Sequence, residues 1–121
     1  MPRLEAHHQW VVEEDPGHPG WVVLYQVNEV ADYLKTFDVI GPDPYPIGAH
    51  KPASMAADWA AKTRRAVLDA RPIWMVPQTH NLGNYAKNEA DRRRGRTPTE
   101  AEMRSMAWQC IVEGATGLIF Y

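Results

Sequence analysis

The sequence predicts an α/β fold, a parallel β/α half-barrel of four βα units, and three observations lead there. Four short apolar runs, at residues 21–25, 38–41, 73–76 and 117–121, are separated by single stretches of helical periodicity. Each run is apolar on both faces, the pattern of parallel strands covered by helices through right-handed crossovers. Four such units in 121 residues amount to half of an eight-stranded barrel, for which about 250 residues are typical. A small open parallel sheet, with its site at a switch-point crevice, is the alternative architecture. Either way residues 1–121 form one domain.

The elements follow from the N-terminus. Leu4, His8, Val11 and Val12 recur at helical spacing, so residues 3–14 are expected to be helical until Asp15-Pro16-Gly17 and Pro19-Gly20 stop them. Trp21-Val22-Val23-Leu24-Tyr25 is β-branched and aromatic and is bounded by Gly20, which predicts the first strand. Asn28 can cap a following helix on which Val30, Leu34 and Phe37 form one apolar stripe. Asp38-Val39-Ile40-Gly41 is the second strand, and Pro42, Pro44 and Pro46 force the next segment into a stiff extended loop. Ser54 is the N-cap expected for a helix over residues 55–70, with Met55, Trp59, Ala66, Val67 and Ala70 on its buried side.

The second half continues the alternation. Arg71-Pro72 opens the third strand, Ile73-Trp74-Met75-Val76, which Pro77 closes. A polar loop from residue 78 to about 96 follows, a length that is uncommon in a compact domain unless the loop is functional or disordered. The last helix begins at Thr97-Pro98-Thr99-Glu100, a capping-box spacing, and runs to a C-cap at Gly114. Gly117 to Tyr121 is the fourth strand, and its uncovered apolar edge makes the chain look like a truncated piece.

Composition excludes several functions. Thirteen Lys and Arg face 15 Asp and Glu, a formal net charge of −2, so no global basic field attracts nucleic acid or an anionic membrane. The longest apolar runs fall far below the roughly 18 residues of a membrane span, and MPRLEAHHQW lacks the apolar stretch of a secretory signal. One cysteine, Cys110, cannot form an internal disulfide, and it lies on the apolar side of its helix. A cytoplasmic protein is expected. His7, His8, His18, His50 and His80 fall at no zinc-ligand spacing, and there is no Gly-rich phosphate loop and no Gly-x-Ser-x-Gly elbow. No metal or cofactor is therefore expected, and Arg92-Arg93-Arg94-x-Arg96 is taken as a solvated loop.

Several motifs, in order, carry a resemblance. They are Asp15-Pro16-x-His18-Pro19; Asp38-Val39-Ile40-Gly41-Pro42-Asp43-Pro44-Tyr45-Pro46; Arg71-Pro72-Ile73-Trp74-Met75-Val76-Pro77-Gln78; Pro98-Thr99-x-Ala101-Glu102-Met103-Arg104; and Gly114-Ala115-x-Gly117-Leu118-Ile119-Phe120-Tyr121. Together they resemble the C-terminal half of glycoside hydrolase barrels of the large retaining clan, the β-galactosidase and cellulase-like group. The resemblance implies that the strands are the fifth to eighth of a barrel and that the partner is a carbohydrate. Such enzymes use an acid/base and a nucleophilic carboxylate about 5 Å apart. The resemblance places the acid/base on a fourth strand outside this chain, and near the expected nucleophile stands Gln78, an amide. The piece would then bind sugar for a complete hydrolase without being active alone. The rival expectation is a half-barrel that pairs with a second copy through its open sheet edges, with a structural or binding role.

Strand parity selects the candidate site residues. Asp43 and Tyr45 project from the C-terminal rim, where barrel sites form, as a hydroxyl acceptor and an aromatic wall; the bland alternative is an aspartate organising a proline turn. Gln78 and His80 end the third strand with Trp74 on the same side as Gln78, and are polar contacts for substrate or caps of loop backbone. Gln26 ends the first strand and Tyr121 the fourth, both as rim candidates. Glu29, one turn into a helix, is assigned to the helix dipole.

Overall fold

The computed structural model describes residues 2–121. Its elements are α1 (Pro2–Glu14), β1 (Trp21–Val23), a 3-10 helix (Val27–Tyr33), β2 (Val39–Gly41), α2 (Met55–Ala66), β3 (Trp74–Met75), a second 3-10 helix (Leu82–Tyr85), α3 (Glu89–Arg94), α4 (Glu100–Val112) and β4 (Gly117–Leu118). Strands arise at the four expected places, but each holds only two or three residues. They form two separate parallel pairs, β1 with β2 and β3 with β4. Trp21, Val22 and Val23 lie opposite Val39, Ile40 and Gly41, and Trp74 and Met75 opposite Gly117 and Leu118.

The expected half-barrel is thereby overturned. No four-unit half of a barrel forms, so its strands are not the fifth to eighth of one, and closing such a half by dimerisation loses its basis; the chain is a small mixed protein, 46% helical. Proline is the physical reason. Pro42 and Pro72 have no N–H to donate, so the seam between the two sheets shrinks to the Ile40–Ile73 bridge. Across it Ile40 N–H donates to the Pro72 carbonyl at 3.2 Å and Val76 N–H to the Pro42 carbonyl at 2.9 Å. The link from β1 to β2 is a seven-residue 3-10 helix rather than the α-helical crossover that normally covers a parallel sheet. Nor is β1 buried on both faces, since Trp21 and Val23 are exposed.

One cluster holds the molecule together. Ile40, Ile73 and Met75 pack against Val30 and Phe37 and against the facing sides of α2 and α4. Ala56 and Ala60, one turn apart on α2, are fully buried, as are Met106 and Cys110 on α4. Small residues at i and i+4 let the two helices approach closely. Burial pushes the Cys110 thiol up to about 11. By contrast, α1 buries none of its residues. It is tethered where His8 Nε2 lies 3.7 Å from the Asp38 carboxylate, which also accepts from Gly20 N–H at 2.8 Å and faces Arg71 at 3.7 Å.

Helix ends depart from expectation in instructive ways. Asn28 lies inside the first 3-10 helix, capped instead by Gln26, and its Oδ1 accepts from Lys62 Nζ at 3.4 Å. Ser54 precedes α2 without a side-chain cap bond, and the helix stops at Ala66 because Leu68 and Asp69 turn left-handed, both at φ 54°. The capping box of α4 falls two residues later than expected. Glu102 N–H donates to Thr99 Oγ1 at 3.2 Å, and Thr99 N–H donates to the Glu102 carboxylate at 2.8 Å. Arg96 grips the same carboxylate with two bonds of 2.7 and 2.8 Å. That grip, and then the Thr99 amide, hold Glu102 down to about 2. Residues 78–96 form no structureless loop, since the second 3-10 helix and α3 lie within them. Among the described residues no helix is long and apolar enough to cross a membrane.

Candidate functional site

The extended proline segment after β2 and the segment after β3 run side by side, and Gln78 locks them together. Gln78 is fully buried. Its Oε1 accepts from Ile47 N–H at 2.9 Å, while its Nε2 donates to the Ile47 carbonyl at 3.0 Å and to the His80 carbonyl at 3.1 Å. The side-chain amide thus imitates one rung of a β-ladder where prolines prevent a real one. The role expected of Gln78 as a substrate contact is corrected to that of a brace, because every hydrogen atom of its amide is spent inside the protein.

Above this brace the structure gathers aromatic rings around His80. Tyr45 meets the imidazole edge-on at 4.7 Å and Tyr85 at 5.3 Å, both at 88°. Tyr121 sits 5.2 Å from the same ring and stacks at 27° on Tyr45, 6.4 Å away. His80 Nδ1 lies 2.9 Å from the Tyr121 carbonyl. A carbonyl only accepts, so Nδ1 carries the proton, and Nε2 is free to accept in the neutral ring. The hydroxyls of Tyr85 and Tyr121 are 2.9 Å apart. That bond is the main reason the Tyr85 phenol is held above its usual range.

Asp43 completes the rim. Its Oδ1 is buried and has no hydrogen-bond partner. Burial pushes its carboxyl above the ordinary aspartate range, against weaker opposing pulls from its own backbone amide and the Tyr45 hydroxyl. Burial, and then the neighbouring Asp43 charge, raise the Tyr45 phenol in turn, so it stays protonated and able to donate. The sign of the pH effect follows. At neutral pH the folded protein bears the cost of an ionised, half-buried carboxylate. As pH falls, the folded state takes up the proton first, and stability rises until pH passes below the unfolded value of 3.8. Asp43→Asn is expected to be more stable than the parent at pH 7 and to lack this acid-side gain. Urea melts between pH 4 and 7 check it, and parallel curves for the two proteins would refute it.

The remaining candidates are placed elsewhere. The Trp74 indole lies against β4, where a Cβ on Gly117 would stand 2.5 Å from its Cδ1. Gln26 caps the first 3-10 helix through its carbonyl, which accepts from Glu29 N–H at 2.8 Å. The structure therefore brings Asp43, Tyr45, His80 and Tyr121 together and leaves Trp74 and Gln26 out of the cluster. It also adds Tyr85, which lies in the segment expected to be a polar loop. Tyr85 walls a cleft of about 320 Å³ that His50, Leu82, Gly83, Asp91 and Arg94 also line. Among the described residues no three His, Cys, Asp or Glu side chains converge to hold a metal ion.

The chain matches no protein-family model, no curated protein and no solved structure.

Proposed function

We propose that the aromatic rim around His80 binds carbohydrate. The observation that carries this reading is the cluster of Tyr45, Tyr85 and Tyr121 around His80. The C–H faces of a pyranose ring suit the flat apolar sides of Tyr85 and Tyr121, both more than half exposed. The reading is one of binding, since glycoside cleavage needs two carboxylates flanking the bond and the described rim holds Asp43 alone. The lone Cys110 suits the reducing cytoplasm.

Titration calorimetry with a neutral oligosaccharide, cellotetraose, tests the reading. Tyr85→Ala is expected to weaken binding about fivefold or more, as loss of an aromatic anchor does. Tyr25→Ala, an exposed tyrosine outside the cluster, should leave it unchanged. Equal affinities for the two variants would sink the assignment. A second reading, self-association through β1, rests on the exposure of Trp21 and Val23 along a strand with a single neighbour and of Tyr25 just beyond it. A dimer mass by light scattering supports it, and a monomer mass at high concentration refutes it.

A further inference from the structure

The basic run at residues 92–96 does not simply face solvent. It lies against the loop after Pro46, and the approach is close. Gly48 is left-handed at φ +83°, and a Cβ on it would lie 3.3 Å from Gly95 Cα. Arg94 Nη1 reaches His50 Nε2 at 3.5 Å. Arg94 is shared between the cleft under Tyr85 and a second cleft of about 360 Å³, which His50, Lys51, Arg96 and Glu102 also line. A protein of net charge −2 thus concentrates cationic side chains at one place, beside the aromatic rim.

The charges there do not cancel. Arg94 pairs with Asp91 at 2.5 Å and Arg96 with Glu102 at 2.7 Å. Lys51 lines the second cleft with no acidic partner among the described residues, so one positive charge is left without a counter-ion. Tyr85 is the common wall, because its ring packs on His80 and its side chain borders the cleft that Arg94 lines.

We infer that the ligand of the rim is an acidic carbohydrate, a uronate whose ring lies on the tyrosines and whose carboxylate enters the cleft between Arg94 and Lys51. This rests on the carbohydrate reading and narrows it. A single unbalanced cation matches a monoanionic carboxylate better than a dianionic phosphate. The arginine fork retains N–H groups beyond those given to Asp91, His50 and the Ala90 carbonyl, enough to meet a carboxylate oxygen.

The test titrates the full chain with tetragalacturonate, with its methyl ester and with cellotetraose, at low and at physiological salt. The acid is expected to bind about tenfold more tightly than its ester at low salt, the size of one charge-assisted contact, and to lose most of that margin as salt rises. Lys51→Gln removes a charge that no internal hydrogen bond uses, so it should fold normally and abolish the preference for the acid over its ester. Arg94→Lys should reduce the preference as well. Equal binding of acid and ester, or a preference untouched by Lys51→Gln, overturns the uronate assignment and leaves carbohydrate binding standing. Failure of all three sugars to bind overturns both.

Discussion

Replacement of Gln78 by methionine is expected to cost about 3–5 kcal/mol of stability, although it preserves the volume of the side chain. The parent amide satisfies Ile47 N–H, the Ile47 carbonyl and the His80 carbonyl in a fully buried position. Methionine leaves all three backbone groups dry and unpaired, and each such group carries a desolvation penalty of about 1–3 kcal/mol. Glutamate should be no better. It keeps an acceptor for Ile47 N–H but sets a charge against two carbonyl oxygens. Gln78→Glu, the change that would install a carboxylate nucleophile at this position, is therefore expected to unfold the site rather than activate it. Equilibrium urea unfolding of the methionine, alanine and glutamate variants decides the matter. If methionine recovers most of what alanine loses, Gln78 is space-filling and the brace is refuted.

Gly95→Ala is expected to destabilise by about 2–3 kcal/mol, the upper range for overpacking against rigid atoms. A methyl group on Gly95 would collide with the Gly83 backbone and stand 2.7 Å from Asn81 Oδ1. That oxygen is engaged as the N-cap of the second 3-10 helix, accepting from Gly83 N–H at 2.8 Å. The reciprocal change, Gly83→Ala, meets the Arg92 carbonyl at 2.7 Å. Backbone cannot swing aside as a flexible side chain does, so relief requires the two segments to part. The expected signature is a lowered thermal midpoint, together with disruption of the cleft that Tyr85 and Arg94 both line. Alanine at Gly17, where the nearest atom is a side-chain oxygen 3.9 Å away, serves as the neutral control. Similar midpoints for the two substitutions would refute the pinch.

Local signals were legible to different depths in the sequence. Val30 and Phe37, spaced seven apart, are both fully buried as their stripe implies, although only Val30 lies on the 3-10 helix and Phe37 follows its end at Tyr33. The Thr97-to-Glu100 spacing places the start of α4 two residues before its actual N-cap at Thr99, and Gly114 marks its end, so the helix is legible to within a turn. The sheet was misjudged because apolar runs report which segments are buried, whereas strand length depends on the availability of N–H donors. Pro42, Pro72 and Pro77 sit at the run ends and remove those donors. Gln78 was placed on the wrong side of the site for a related reason. Parity along a strand says which way a residue faces, but it cannot say that the opposite segment, Ile47, presents bare backbone to it. Asp43, Tyr45, His80 and Tyr121 lie together because strand ends converge at one side even when the strands are short. Tyr85 and the cationic cleft depend on how residues 82–96 fold back, a long-range outcome with no periodic trace.

Helix α1 sets a two-tier pattern of local stability. It is 13 residues long, near the length at which a free helix is marginal in water, and none of its residues is buried. What keeps it docked is the outlying His8 contact to Asp38 and the turn that follows. Its opening therefore exposes little apolar surface, and the free energy of that event lies far below that of global unfolding. In amide hydrogen exchange the bonds of α1 are therefore expected to open independently, while those around Met75 and Met106 are expected to open only with the whole domain. Asp38 also binds Gly20 and faces Arg71, so the sheet stays anchored while the helix is away.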